Sequence, residues 1–392
     1  MSKLKKMTSA FLAGIITAAL IFSGCSSDEK KETDSSSSDK ESSVSQKSSA
    51  VQSSETQSNT QSSDSGEKSE TSSDTNSITP LIWEVTDAEG NKMYMMGTIH
   101  LGDDAIDHMP DYFESAFAKC DAVALECDSS ETSMDLDSIA QFMYTDGTTI
   151  KDHVSEEDYN NAVKILQDSG MFTKAYDYVK PFMWLSLAEV IAGQNVGLSA
   201  DYGVDTMLET RGRKNNKEII ELEGADFQTE VIASLPDELQ ELMFHEMAQT
   251  DDYMTQLQNE MKEIYQNWKD GKEITDNSDS SDTDEESLSE EDQKLVDEYN
   301  RIMLYDRNEG MADKAETYIK SDKLTFLAVG AAHFTGDKGI KKIMEDRGYT
   351  FRPLTSKDAE DIDKQISEQE SALDADVSIL PDVTDPSIPR AA

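Results

Sequence analysis

The stretch Lys92–Gly102 is K-M-Y-M-M-G-T-I-H-L-G, an apolar run that stops at Gly97 and leads to His100. A second stretch, Thr325–Gly336, T-F-L-A-V-G-A-A-H-F-T-G, repeats the pattern and leads to His333. Each pattern predicts a buried strand followed by a turn, because short apolar runs bounded by glycine are typical of strands inside a sheet. Since the same pattern occurs at both ends of the apolar part of the chain, we expect the two histidines to meet.

The rest of that part predicts strands that alternate with helices. Two runs around the turn-forming segment Asp87–Asn91, Leu81–Val85 and Met93–Met96, predict a β-hairpin or two successive strands. Further strands are predicted at Ala122–Leu125, Glu218–Leu222, Leu324–Val329 and Tyr349–Pro353. This order predicts an α/β fold, with a central, largely parallel sheet flanked by helices and a helical subdomain in the middle of the chain; α+β is the alternative.

The first residues resemble an export signal. Three lysines precede an apolar segment, Ala10–Phe22, which is too short to span a bilayer, and a lone cysteine follows at Cys25. Small residues directly before that cysteine resemble a bacterial lipobox, although Phe22 stands where leucine is more common. We therefore predict a signal peptide over residues 1–24 and a lipid on Cys25 that anchors the protein in the bilayer, on the extracytoplasmic face of the cell membrane. An ordinary signal peptide with an unmodified cysteine is the alternative.

Polar and acidic segments surround and interrupt the apolar part of the chain. Residues 25–79 contain almost no apolar side chains and are predicted to be a disordered tether, because they bury too little surface to offset the entropy of ordering. By the same argument we predict a disordered acidic insert at about 272–290 and a disordered tail at 356–392. One folded domain, 80–355, remains.

The formal net charge of −45 excludes one class of partner. A strongly acidic surface repels the phosphates of nucleic acids, so no nucleic-acid partner is expected. The lipid bilayer, through the lipid on Cys25, is an expected partner.

Charged and imidazole side chains follow four of the predicted strands. His100, Glu126, Glu223 and His333 each come just after an apolar run. Because ligands of open α/β sheets lie at the carboxyl ends of the strands, these residues predict a site. Two imidazoles and a carboxylate suit a divalent metal such as zinc, manganese, iron or cobalt, and a second carboxylate suits a general base. Taken singly, each histidine also fits a hydrogen-bonded loop residue, and each glutamate fits a surface residue.

Several motifs in order give the chain a family resemblance. They are M-G-T-I-H-L-G, V-A-L-E-C-D, K-P-F-M, Y-G-V-D, I-I-E-L-E-G-A-D-F-Q, Y-D-R-N-E-G-M-A, L-A-V-G-A-A-H-F-T-G and R-G-Y-T-F-R-P-L. Over Ile82–Leu354 the chain resembles the TraB/GumN family, which is related to the Tiki membrane proteases. The acidic insert and the two tails depart from the family pattern and interrupt none of these motifs.

The resemblance implies a metal-dependent hydrolase, most readily a peptidase, that uses two Gly-x-x-His motifs and a glutamate. Carried over by position, it implies metal ligation by His100, Glu126 and His333. The second class that the family admits is a non-catalytic protein that binds or sequesters secreted peptides.

The resemblance also implies roles for residues around the metal. Arg307 and Asn308 match an Arg-Asn motif of the family, and we predict them, with Glu223, to be catalytic. Our physical interpretation of Arg307 is binding of an oxyanion or carboxylate, because a planar guanidinium suits both. The alternative is a structural ion pair with Glu126 or Glu223. Together with Glu223, Gln228 matches a family segment that could complete the pocket wall.

Overall fold

A computed structural model describes residues 78–128, 136–274 and 289–378. The predicted signal peptide, Cys25 and nearly all of the tether lie outside these residues, as do most of the acidic insert and the last part of the tail. No helix within the described ranges is both long enough and apolar enough to cross a membrane.

Six strands form one mixed sheet. Across the sheet their order is β4-β3-β5-β2-β1-β6. Their bounds are β1 Ile82–Thr86, β2 Lys92–Thr98, β3 Ala122–Leu125, β4 Glu218–Glu221, β5 Thr325–Gly330 and β6 Thr350–Pro353.

The four strands β4, β3, β5 and β2 run parallel, while β1 pairs antiparallel with both β2 and β6. The register pairs Gly97 with Val329 and Ala124 with Leu327. The carboxyl ends of the parallel strands therefore meet at one edge of the sheet. The predicted hairpin, the largely parallel sheet and the α/β fold are confirmed.

Twelve α-helices surround this sheet within the described residues. They are α1 Asp111–Lys119, α2 Leu136–Gln141, α3 Glu156–Asp168, α4 Pro181–Asn195, α5 Val204–Lys214, α6 Ala225–Ala233, α7 Asp237–Gln249, α8 Tyr253–Lys269, α9 Glu290–Asn300, α10 Asp306–Ile319, α11 Ile340–Asp346 and α12 Ser356–Ser378. Between α9 and α10 the chain continues as one π-helical segment, Arg301–Tyr305.

The central strands are apolar throughout because helices cover both faces of the sheet. Tyr94 and Met96 of β2 belong to the core on one face, and Met93 and Met95 belong to the core on the other. Side chains alternate along a strand, so consecutive apolar residues fill both layers. The uninterrupted apolar run in the sequence has this physical cause.

A helical layer between β3 and β4, and again between β4 and β5, forms the predicted subdomain. Helix α4 packs against α7 and α8. Twelve of its residues are buried, which explains why its sequence is apolar on every side. Trp184 in its first turn contacts Phe244 of α7 edge to face, with ring centroids 5.5 Å apart.

The C-terminal segment differs from the sequence prediction. Ser356–Ser378 forms helix α12 where disordered chain is expected. Its first part packs on α1, and both Ala359 and Ile362 are buried in the larger core. The segment is strongly acidic, so its composition predicts disorder even though these two apolar residues are buried. At the other end, ordered structure already includes Ile78, which is buried in the same core.

Candidate functional site

Glu126 lies immediately beyond β3, and Glu223 lies two residues beyond β4. The backbone of Glu223 donates to the carbonyl oxygen of Glu126 at 2.8 Å, which continues the pairing of the two strands. The two carboxylates are thus brought side by side by strand register. Both side chains are buried, with 6% and 7% of their surfaces exposed.

Three donors hold the Glu126 carboxylate. Its Oε1 accepts from the backbone N–H of Gly330 at 2.7 Å. Its Oε2 accepts from Arg307 Nη2 at 2.7 Å and from Gln228 Nε2 at 2.9 Å. Residues from β3, β5, α6 and α10 therefore converge on one side chain.

Arg307 bridges the two carboxylates. Its Nε donates to Glu223 Oε1 at 2.9 Å, and its Nη2 lies 2.7 Å from both Glu223 Oε2 and Glu126 Oε2. The alternative predicted for Arg307, a structural ion pair, is present, and it involves both glutamates. The carboxylates that Arg307 binds are the protein's own.

The π-helical segment Arg301–Tyr305 ends two residues before Arg307. Arg307 Nη1 donates to the carbonyl oxygen of Met303 within this segment at 3.0 Å. A π turn shifts the register of the helix after it, and such turns occur often at functional sites. Here the shift accompanies the inward placement of two consecutive residues, Arg307 and Asn308, both of which are buried.

Asn308 fixes the orientation of His333. Asn308 Nδ2 donates to the carbonyl oxygen of Lys338 at 2.8 Å, so its Oδ1 is free to accept from His333 Nδ1 at 2.6 Å. The proton of His333 therefore resides on Nδ1. Its Nε2 lies 3.8 Å from Glu126 Oε1. Burial and the charge of Arg307 lower the pKa of His333 to about 3, so the imidazole is neutral.

Asp205 has the corresponding position beside His100. His100 Nδ1 lies 2.8 Å from Asp205 Oδ2, an ion-pair distance, although the two atoms are not aligned for a hydrogen bond. Thr98 donates to the other oxygen of Asp205 at 2.6 Å. Burial lowers the pKa of His100, but the carboxylates of Asp205 and Glu126 together outweigh this and raise it overall.

The pKa values of the two carboxylates shift in opposite directions. Burial raises both, but at Glu126 the charge of Arg307 and the Gly330 N–H act against it, and the pKa is lowered. At Glu223 burial prevails over the opposing effect of Arg307, and the pKa is raised. When the environments of two neighbouring carboxylates shift their pKa values in opposite directions, the two groups often have different roles in acid–base catalysis.

A cleft opens beside this centre and encloses about 350 Å³, counted out to open solvent. Its lining includes His100, Glu126, Cys127, Asp205 and Gln228. The thiols of both described cysteines are free, and that of Cys127 is half-buried in this wall. His100 and Glu126 thus face the same space, which the contacts of Glu126 connect to His333.

Glycine is required at the start of each histidine turn by close packing. A Cβ on Gly97 would lie 2.9 Å from the Cα of Ala331, and one on Gly330 would lie 3.2 Å from Glu126 Oε1. Neither residue has a positive φ, so space rather than backbone conformation demands glycine. At Gly330 the missing side chain lets the backbone N–H reach the carboxylate.

The donor set fits a divalent metal by its chemistry. Metal-binding histidines usually donate their second ring nitrogen to an oxygen, and His333 does so while the same nitrogen of His100 lies against Asp205. Within the described ranges no three His, Cys, Asp or Glu side chains are already arranged as a metal-binding group. His100, Glu126 and His333 therefore supply suitable atoms without forming a finished coordination sphere.

Sequence reasoning did not assign a role to Asp205. The residue lies in the Y-G-V-D motif, but an acidic residue at the start of helix α5 is also what the helix dipole favours. Pairing with a histidine is visible only once β2 and α5 are adjacent. The signal that was available is the motif itself.

The protein is thus an α/β protein that has a buried cluster of histidine, glutamate and arginine side chains at the carboxyl edge of its sheet. The sequence model of the TraB/PrgY/gumN family matches residues 81–353, which is more than half of the chain. The protein belongs to this family.

Two curated relatives were compared, and both are called uncharacterized protein YbaP, one from Escherichia coli (strain K12) and one from Shigella flexneri. Each is 26% identical over 149 residues, which cover 38% of this chain and 54% of the relative. The chain thus spans about half the length of the curated relatives it matches. No solved structure matches the chain significantly.

Proposed function

We propose that the protein is a metal-dependent hydrolase that cleaves peptides outside the cytoplasm, anchored to the membrane by a lipid on Cys25. In this proposal His100, Glu126 and His333 hold a divalent metal. Glu223, Arg307 and Asn308 support these ligands, and Glu223 is the candidate for proton transfer.

One observation carries the proposal: each histidine is oriented from behind by an oxygen. Asn308 binds Nδ1 of His333, and Asp205 lies against Nδ1 of His100. The nitrogen that remains on each ring, Nε2, is the one available to a ligand. For His333 this nitrogen faces Glu126 at 3.8 Å. Such oxygen–histidine pairs are typical of metal centres because they fix the tautomer and the ring plane.

Glu126 retains a free position for a ligand. A carboxylate has about four lone-pair sites, two on each oxygen. Arg307 and Gln228 occupy both sites on Oε2, whereas Gly330 alone occupies one on Oε1. The remaining site is on Oε1, the oxygen nearest to His333.

When bound at these atoms, a divalent ion supplies a Lewis acid that polarises a peptide carbonyl and lowers the pKa of a water molecule. The residues of the chain supply orientation and exclude bulk water. The positive charge of Arg307 compensates the negative charge that Glu126 and Glu223 carry when they are ionised. Gln228 contacts both carboxylates, at 2.9 and 3.4 Å. Burial raises the pKa of Glu223, which contacts the cleft residue Gln228, and this suits Glu223 to accept or return a proton.

The test uses the purified full-length protein. Bound metal is measured by mass spectrometry, and a mixture of synthetic peptides is incubated with the protein in the presence and absence of a chelator. We expect bound metal, together with cleavage that the chelator abolishes and metal restores. His333→Ala should remove both properties, whereas His108→Ala, which alters an exposed histidine, should change neither.

Absence of metal and of cleavage under all common divalent ions would refute the proposal. Saturable peptide binding without cleavage would instead support the second function class, a protein that sequesters peptides.

A further inference from the structure

A second pocket lies at the carboxyl end of β2, beside the turn that carries His333. It encloses about 400 Å³, counted out to open solvent. Most of its lining is aromatic or aliphatic: Leu81, Trp83, Trp268, Ile274, Ala331 and Phe334. Neither the family assignment nor the proposed metal centre gives this pocket a role.

The pocket shares its walls with both histidine turns. Ala331 and Phe334 begin and end the short 3-10 helix Ala331–Phe334, which contains His333. Gly97, which also lines the pocket, is followed by Thr98, whose side chain contacts Asp205 behind His100. Trp83 and Phe334 belong to the core on one face of the sheet and Trp268 belongs to the core on the other, so the pocket lies at the end of β2, next to the turn of His333.

Both charged residues of the lining are paired with charged residues outside it. Lys272 contacts Asp270 at 2.8 Å, and Glu273 contacts Lys341 at 2.7 Å. The polar atom of Trp268 is also satisfied, because its indole N–H donates to the carbonyl oxygen of Gly97 at 2.8 Å. The pocket therefore offers apolar surface, and a charged group placed there would lose its hydration with little return.

We propose that this pocket binds an apolar side chain of the peptide substrate, at a residue close to the bond that is cut. The identity of the occupant as a peptide rests on the proposed function. Specificity then depends on apolar contact and shape rather than on charge. An apolar pocket of this kind distinguishes ligands that differ by a few methylene groups by about 10-fold or more.

Binding can be measured without any cleavage, because Trp83 and Trp268 are two of the three tryptophans in the protein. The full-length protein is titrated with acetyl-Gly-Gly-X-Gly-Gly-amide, where X is Leu, Phe, Gly or Asp, and its tryptophan fluorescence is followed. We expect saturable changes for Leu and Phe, with affinity about 10-fold or more above that for Gly and Asp. Equal affinity for all four peptides, or no saturable change, would overturn the proposal.

A filling variant provides the second arm. Ile274→Phe should weaken binding of the Leu and Phe peptides by about 10-fold and leave the Gly peptide unchanged. Met171→Phe alters an exposed apolar residue outside the pocket and should have no effect. Equal effects of the two variants would also overturn the proposal.

Hydrolysis of the same peptides separates this proposal from the proposed function. Selective binding of Leu and Phe without cleavage would support the pocket and refute the hydrolase. Cleavage that is independent of X would support the hydrolase and refute the pocket.

Discussion

Replacing Arg307 by methionine should cost the protein a large part of its stability. Arg307 contacts two carboxylates, and the side chains of Arg307, Glu126 and Glu223 are 4%, 6% and 7% exposed. At this burial water cannot substitute for the lost guanidinium. Removing one partner of a buried ion pair costs about 3–5 kcal/mol, because the other charge stays buried without compensation. We expect a loss in this range for Arg307→Met, measured as the free energy of unfolding in urea.

Two further variants show whether the loss of stability comes from the lost charge of Arg307, from its planar guanidinium, or from replacing any arginine in this region. Arg307→Lys keeps the charge but cannot reach both carboxylates with a planar fork, so its loss should be intermediate. Arg301→Met removes an arginine of the π-helical segment whose ion pairs with Glu298 and Asp306 are exposed to solvent. That variant should lose far less stability, because exposed pairs contribute little.

A double-mutant cycle tests the bridge itself. Glu223→Gln removes one of the two carboxylates, so combining it with Arg307→Met leaves only Glu126 uncompensated. The combined loss should be smaller than the sum of the single losses by about 0.5–3 kcal/mol. A loss below about 1 kcal/mol for Arg307→Met, or strictly additive losses in the cycle, would refute the view that Arg307 holds both carboxylates in the folded protein.

Three other predictions follow from single contacts. Asn308→Ala removes the acceptor behind His333 and should weaken metal binding by about 10–100-fold in equilibrium dialysis; unchanged affinity would contradict this. Gly97→Ala places a Cβ 2.9 Å from the backbone of Ala331 and should cost about 1–3 kcal/mol in urea unfolding, whereas a neutral result would show that the turn can shift. Ile362→Asp buries a charge under helix α12 and should expose that helix to limited proteolysis, while resistance equal to that of the unaltered protein would contradict the docking.

The sequence predicts that the site residues lie close together, because the ends of the strands can be identified from the apolar runs. His100, Glu126, Glu223 and His333 each follow an apolar run, and parallel strands deliver such residues to one edge. The structure agrees with that expectation. Arg307 contacts both Glu126 and Glu223, and Glu126 Oε1 lies 3.8 Å from His333 Nε2. Which of these residues bind a metal stays a prediction.

The residues that contact His100, Glu126 and Glu223 could not be predicted in the same way. Whether Arg307 would contact one carboxylate or two depends on the register of β3 against β4 and on the π-helical segment before α10, and neither has a sequence signature. Asp205 reads as an ordinary acidic residue at a helix start. Helix α12 was missed because two buried residues, Ala359 and Ile362, are enough to dock an otherwise acidic segment. In each case the deciding interaction is tertiary, so local composition does not reveal it.

The most direct test of the central claim is X-ray absorption spectroscopy of the zinc-loaded full-length protein. We expect two imidazole nitrogens and additional oxygens as ligands, at about 2.0–2.2 Å. His333→Ala should retain no zinc and should therefore not give this spectrum. A sulfur ligand at about 2.3 Å, as Cys127 would give, or a spectrum without imidazole, would contradict the assignment of His100 and His333 to one metal centre.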